Sequence, residues 1–175
     1  MYQGIAEPIQ FRSEWRDREE AVRDQLIQIR DAQIAYKSIV GKYAPTFDTL
    51  EQVLRTEKFV IKSLSGDPEV DENVVEIITE LSALDSMTTL GINLDSLRFV
   101  PYTNGIVFDM ESKVLEEYQS AKNIPVIKVT ANVKDYMGKW ATPKYSKYDG
   151  NYDPKRGKLF FGDLNKPSTN GNWRQ

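Results

Sequence analysis

The spacing of apolar residues between Trp15 and Tyr43 constrains this chain more than any other feature. Trp15, Val22, Leu26, Ile29, Tyr36, Val40 and Tyr43 recur at intervals of 7, 4, 3, 7, 4 and 3. This is the 3.5-residue repeat of a helix packed lengthwise against another surface. The seam predicts one long helix with a polar cap at Ser13, running to about Lys42, where Gly41 and then Pro45 end it. Its first half, SEWRDREEAVRDQ, is mostly charged, and its second half adds Ile27, Ala32, Ile34, Ala35 and Ile39 beside the seam. The second half is therefore expected to be the buried one, with Tyr36 and Val40 beneath a sheet and Arg16 and Arg23 exposed.

Downstream, Thr46 caps a short predicted helix from Phe47 to about Arg55, which buries Phe47, Leu50, Val53 and Leu54. FVIKSLS from Phe59 reads as a strand. Asp67-Pro68 then opens a predicted third helix, because Val70, Val74, Ile77, Ile78, Leu81 and Leu84 recur at helical spacing. Asn104-Gly105, between LRFVPYT and IVFDM, predicts a tight hairpin turn, since this pair tolerates positive φ at both central positions. VIKVTANV from Val126 and KLFFGDL from Lys158 are the remaining strands, with a lysine- and tyrosine-rich loop from Met137 to Arg156 between them. The expected fold class is α+β: a long N-terminal helix packed on a small antiparallel sheet, with two shorter helices. Residues 1–12 are expected to form an arm and residues 13–175 a single domain.

Composition narrows the functions open to such a fold. With no cysteine, no disulfide supports the chain and no thiol serves as nucleophile or ligand. With no histidine, it lacks the side chain most used for acid–base work near neutral pH and for binding transition metals. No Ser-x-x-Lys, Gly-x-Gly-x-x-Gly or phosphate-loop pattern occurs. Charge is uneven: residues 1–44 hold seven basic and seven acidic side chains, residues 45–122 six against fifteen, and residues 123–175 ten against four. If copies associate, that split predicts a head-to-tail contact that weakens with salt. No run of about 18 apolar residues is present, and MYQGIAEPIQF has no signal-peptide core. Tyr2, Ile5, Ile9 and Phe11 around Pro8 nonetheless form an apolar collar, as expected just after a membrane anchor.

Two stretches could carry recognition. In the C-terminal loop, Lys139, Trp140, Lys144, Tyr145, Lys147, Tyr148 and Tyr152 interleave cations with rings, a pattern suited to a polyanion, a glycan or a protein contact. The plainer reading is a loop over the sheet with buried rings and snorkelling lysines. Asp149, Asn151 and Asp153 in DGNYD have the alternate spacing that opens a calcium loop. Pro154 and Phe160 occupy the positions where an EF-hand needs glycine and a bidentate glutamate, so a solvated turn is favoured over a metal site. No cofactor is expected, and calcium is expected to be dispensable for folding.

The segment AQIAYKSIVGKYAPTFDTL, with Ala32, Gln33, Ala35, Tyr36, Gly41, Lys42, Tyr43 and Leu50, resembles the helix end of type IV pilins and type II secretion pseudopilins. NGNW, Asn170 to Trp173, after LFFGDL is similar to the ending of major pseudopilins. With its EPIQF and LRFVPY segments, the chain looks closer still to Gram-negative bacterial proteins that have one N-terminal membrane helix and no established activity. It departs from pilins in lacking their apolar N-terminus, processing site and cysteine pair. The resemblance implies a pilin-like domain anchored on the periplasmic or cell-surface side of a bacterial membrane. Pseudopilins also hold calcium in a C-terminal loop, for which Asp163 and Asn165 would be added candidates. The function expected from it is structural and non-enzymatic: an assembly or secretion role through protein partners or self-association, with nucleic acid not expected as a partner. The alternative is a glycan- or polyanion-binding module, and a histidine-free hydrolase comes third.

Overall fold

The computed structural model describes residues 3–66, 69 and 74–173. Helix α1, Gln3–Val40, spans 38 residues, about 57 Å at 1.5 Å per residue. It starts ten residues before Ser13 and carries Pro8 inside it, so the expected arm is helical from its third residue. A long-range contact accounts for the early start: Phe11 is completely buried among rings of the C-terminal loop. Burial of that side chain outweighs the local cap at Ser13 and the lost backbone bond at Pro8. Both halves of α1 are therefore buried, the first by the loop and the second by α2 and the β-strands.

Gly41 ends α1 as expected, at φ +91, with its N–H donating to the Lys37 carbonyl at 2.8 Å. The chain then turns back onto the helix. The buried Gln33 amide accepts from the Ala44 N–H at 2.8 Å and donates to the Ala44 carbonyl at 3.1 Å, pairing with that residue as a strand would. This returning segment covers the turn around Gln33 and leaves Val40 uncovered. Tyr36 is buried, but Val40 stands 42% exposed, against the expectation from the seam. Arg16 is exposed and Arg23 is half-buried.

Helix α2, Phe47–Thr56, is capped by Thr46, whose hydroxyl accepts from the Thr49 N–H, and it buries Phe47, Leu50 and Leu54. Arg98 holds its first turn through Asp48 at 2.6 Å and Glu51 at 2.9 Å. Strand β1, Lys58–Ser65, pairs antiparallel with β2, Val75–Ser82, to make a two-stranded ribbon. The expected third helix is thus a strand, while Asp67, Pro68 and Val70 lie outside the described residues. VVEIITELS fits both periods, but five of its first six residues are β-branched, which favours the pleated form. Helix α3, Ala83–Thr89, follows with Ser82 as its cap.

The second sheet has the order β3–β4–β5, antiparallel throughout: β3 is Asp109–Tyr118, β4 Ala121–Asn132 and β5 Lys158–Asp163. Strand β4 lies in the centre and buries Val126, Ile127, Val129 and Ala131. The tight two-residue turn is at Gln119-Ser120, φ 46 and 67, between Tyr118 and its partner Ala121. At Asn104-Gly105 the chain does reverse, but through a wider loop. The Val100 N–H bonds to Ile106 and the Thr103 side chain bridges inside the loop, with positive φ at Tyr102 and Gly105 rather than at both expected positions. Helix α4, Val133–Tyr136, leads from β4 into short 3-10 turns at residues 138–140 and 143–147.

Candidate functional site

Three places on the molecule have the composition to bind something: the aromatic loop, the groove beside it and the ribbon. In the loop, Trp140, Tyr145 and Tyr152 are buried, and Tyr148 is half-buried. Their rings surround Phe11: Tyr145 stacks on it at 5.1 Å, Tyr152 meets it edge-on at 4.8 Å, and Trp140 and Tyr148 flank it at 6.0 Å each. Lys139, Lys144 and Lys147 reach back over the neighbouring rings of Trp140, Tyr145 and Tyr148 at 4.6 to 4.9 Å. The loop is a packing element for the head of α1, with its rings turned inward and its lysines lying over them. These rings are not presented for stacking on a ligand.

Polar groups of this cluster are mostly tied down. The Tyr152 hydroxyl donates to the Trp140 carbonyl at 2.8 Å, and Arg18 donates to the Tyr136 carbonyl at 2.8 Å. Burial, and then the nearby Tyr145, push the Tyr152 phenol up to about 12. Burial raises Tyr136 further, with Glu19 and Tyr152 adding to the effect. The indole N–H groups of Trp15 and Trp140 and the Thr142 hydroxyl are buried without a hydrogen-bond partner, a cost the ring packing offsets.

The DGNYD carboxylates act as turn acceptors. Asp149 accepts from the Asn151 N–H at 2.9 Å, and Asp153 accepts from the N–H groups of Lys155 and Arg156. Asp163, on β5, caps the Asn165 N–H at 2.7 Å. Each closes its own turn, and no group of three or more acidic residues that could hold a metal ion occurs among the described residues.

A groove of about 480 Å³ runs along the first half of α1. The helix supplies Trp15 and a polar stripe, Arg12, Arg16, Glu19 and Arg23, with Glu20 beside it. The opposite wall is Asp149 and Asn151 from the loop, then Asn172 and Trp173 from the C-terminal segment. That segment is held against β5 by a single antiparallel bridge between Gly171 and Phe161. The Gly162 N–H bonds to Asn170 and the Asn172 N–H to Phe160, while the Asn172 side chain accepts from the Phe160 N–H at 2.9 Å and donates to the Lys158 carbonyl at 2.8 Å. The Trp173 ring lies over Gly171, where any Cβ would collide with it. The sequence signalled this groove only faintly, in the 4, 3, 4 spacing of residues 12, 16, 19 and 23, because its walls come from three distant segments.

On the ribbon, residues paired across the strands share a face. One face carries Lys58 with Ser82, Val60 with Glu80, Lys62 with Ile78 and Leu64 with Glu76. Its charges pair internally, Lys58 to Glu80 at 3.4 Å and Lys62 to Glu76 at 3.9 Å. The other face carries Phe59 with Leu81, Ile61 with Thr79, Ser63 with Ile77 and Ser65 with Val75. It holds no charge at all. Phe59 packs against the core, while Ile61, Ile77 and Leu81 are 45 to 47% exposed and Val75 is 58% exposed. Among the described residues, no helix is long and apolar enough to cross a membrane. No protein-family model matches this sequence, and neither a curated protein nor a solved structure is similar to it.

Proposed function

We propose that this chain is the non-enzymatic, folded part of a membrane-anchored cell-envelope protein with a structural or assembly role of the pilin or pseudopilin kind. It works by packing against another copy through the β1–β2 ribbon. The observation that carries this reading is the uncharged ribbon face, since an apolar strip continuous with the core favours contact over solvent. A second copy suits it: a two-fold axis sets one uncharged face on another, and the paired charges behind leave no net field to select an oppositely charged partner. Exposed Ile5 and Ile9, one turn apart at the head of α1, support an anchored segment entering there.

Eight-residue strands make the face about 26 Å long, small beside a stable interface of about 800 Å² per partner. Association in solution is therefore weak, and anchoring in a shared membrane would raise the effective concentration. The absence of cysteine makes the test clean. Thr79→Cys, at the centre of the uncharged face, should form a disulfide dimer under mild oxidation. Ile78→Cys, also exposed but on the charged face, should not. Equal yields from both would remove the support for the ribbon, and a full-length gene product recovered wholly in the soluble fraction would remove the anchor.

A further inference from the structure

We propose that the groove between α1 and the C-terminal segment is a binding site for a neutral oligosaccharide. Its charged groups decide the class of ligand. Three arginines, Arg12, Arg16 and Arg23, line it together with three carboxylates, Glu19 and Glu20 on the same helix and Asp149 opposite, so the signs are intermixed rather than sorted into halves. A nucleic acid or other polyanion would meet as many carboxylates as cations. An uncharged molecule rich in hydroxyls meets donors and acceptors in equal supply, because each hydroxyl both gives and takes a hydrogen bond.

The aromatic content points the same way. Trp15 and Trp173 give the groove broad apolar walls, against which the C–H faces of a sugar ring can lie while its hydroxyls reach the polar groups. The volume of about 480 Å³ is in the range of small-ligand sites. It is also built in advance of binding. Trp15 is wedged between Phe11 at 5.9 Å and Tyr152 at 5.0 Å. Arg12 is held by the Tyr148 carbonyl at 3.0 Å, and Trp173 is placed by the bonds of Asn172 to β5. Ordering these groups beforehand lowers the entropy cost of binding. The aromatic loop thus serves this site indirectly, by fixing the groove's walls rather than by offering its own rings. The proposal is independent of the ribbon, which lies in a separate part of the chain.

The test is a titration of intrinsic tryptophan fluorescence with neutral tetrasaccharides of defined linkage (glucose, mannose and N-acetylglucosamine series), followed by a wider neutral glycan array, with heparin as the polyanion. At least one neutral glycan should give a saturable change that persists at high salt, and heparin should give none. Trp173→Ala and Asp149→Asn should each weaken binding by about tenfold or more. Arg16→Met, at a side chain 71% exposed, should weaken it with no effect on melting, which separates binding from folding. Failure of every neutral glycan, a response to heparin alone, or binding that survives all three variants would overturn the proposal. None of these outcomes bears on dimer formation through the ribbon.

Discussion

The head of α1 and the β1–β2 ribbon are both rich in apolar side chains, yet they end in opposite states. At the head, Phe11, Trp140, Tyr145 and Tyr152 are buried together, with the Tyr152 hydroxyl tied to the Trp140 carbonyl. On the ribbon, Ile61, Ile77 and Leu81 remain nearly half exposed, although they alternate regularly along paired strands. The difference is one of long-range closure. The loop returns from residue 137 to 156 to cover the helix, whereas among the described residues nothing crosses the ribbon's uncharged face. Burial at the head stabilises the fold, and the exposed ribbon face is the surface the proposed dimer would use.

That contrast breaks most readily by truncation. Phe11→Ala should cost about 3–5 kcal/mol in denaturant unfolding, because it empties the centre of a ring cluster. Ile61→Ala should change stability by no more than about 1 kcal/mol, since nearly half of its surface already meets solvent. Comparable losses would mean the ribbon is part of the folding core. Next in size is Gln33→Leu, expected to cost about 1–3 kcal/mol, because the buried Ala44 N–H loses its partner while the Ala44 carbonyl keeps only the Ser112 hydroxyl. A neutral result would show that the returning segment does not depend on that amide.

A smaller effect sharpens the comparison through pH. Tyr152 ionises at about 12 in the fold against about 10 in the unfolded chain, so the fold favours the protonated phenol. This stabilisation is fully present below about pH 10 and is lost as pH rises through about 12. Urea unfolding should therefore show falling stability over that window. Tyr152→Phe should lose about 1 kcal/mol at pH 8 with its hydrogen bond to Trp140, and should flatten the alkaline decline. An undiminished decline in the variant would assign it to other groups.

Much of the scaffold was legible in the sequence because its causes are local. The seam from Trp15 to Tyr36, the Gly41 stop, the Thr46 cap and strands β1, β4 and β5 all follow from periodicity and turn chemistry. The failures have non-local causes or near-balanced local ones. Phe11 extends α1 through partners more than a hundred residues away, and nothing near Ser13 could announce it. The Val74–Leu81 stretch satisfies helical and strand spacing at once, and pairing with β1 decides. A two-residue turn formed at Gln119-Ser120, where register between β3 and β4 required it, rather than at the better turn pair Asn104-Gly105. The groove was the least legible feature, since Trp15, Asp149 and Trp173 become neighbours only after folding.

The proposed meeting of copies through an uncharged surface is tested most directly by sedimentation velocity across salt. Between about 10 and 500 µM protein, a monomer–dimer equilibrium is expected that is unchanged or strengthened from about 20 to 300 mM salt, because apolar contact is not screened. Ile77→Glu should leave only monomer while folding normally. A dimer that dissolves over the same salt range would assign association to the charge split between residues 45–122 and 123–175, and a monomer at every concentration would contradict self-association through the ribbon.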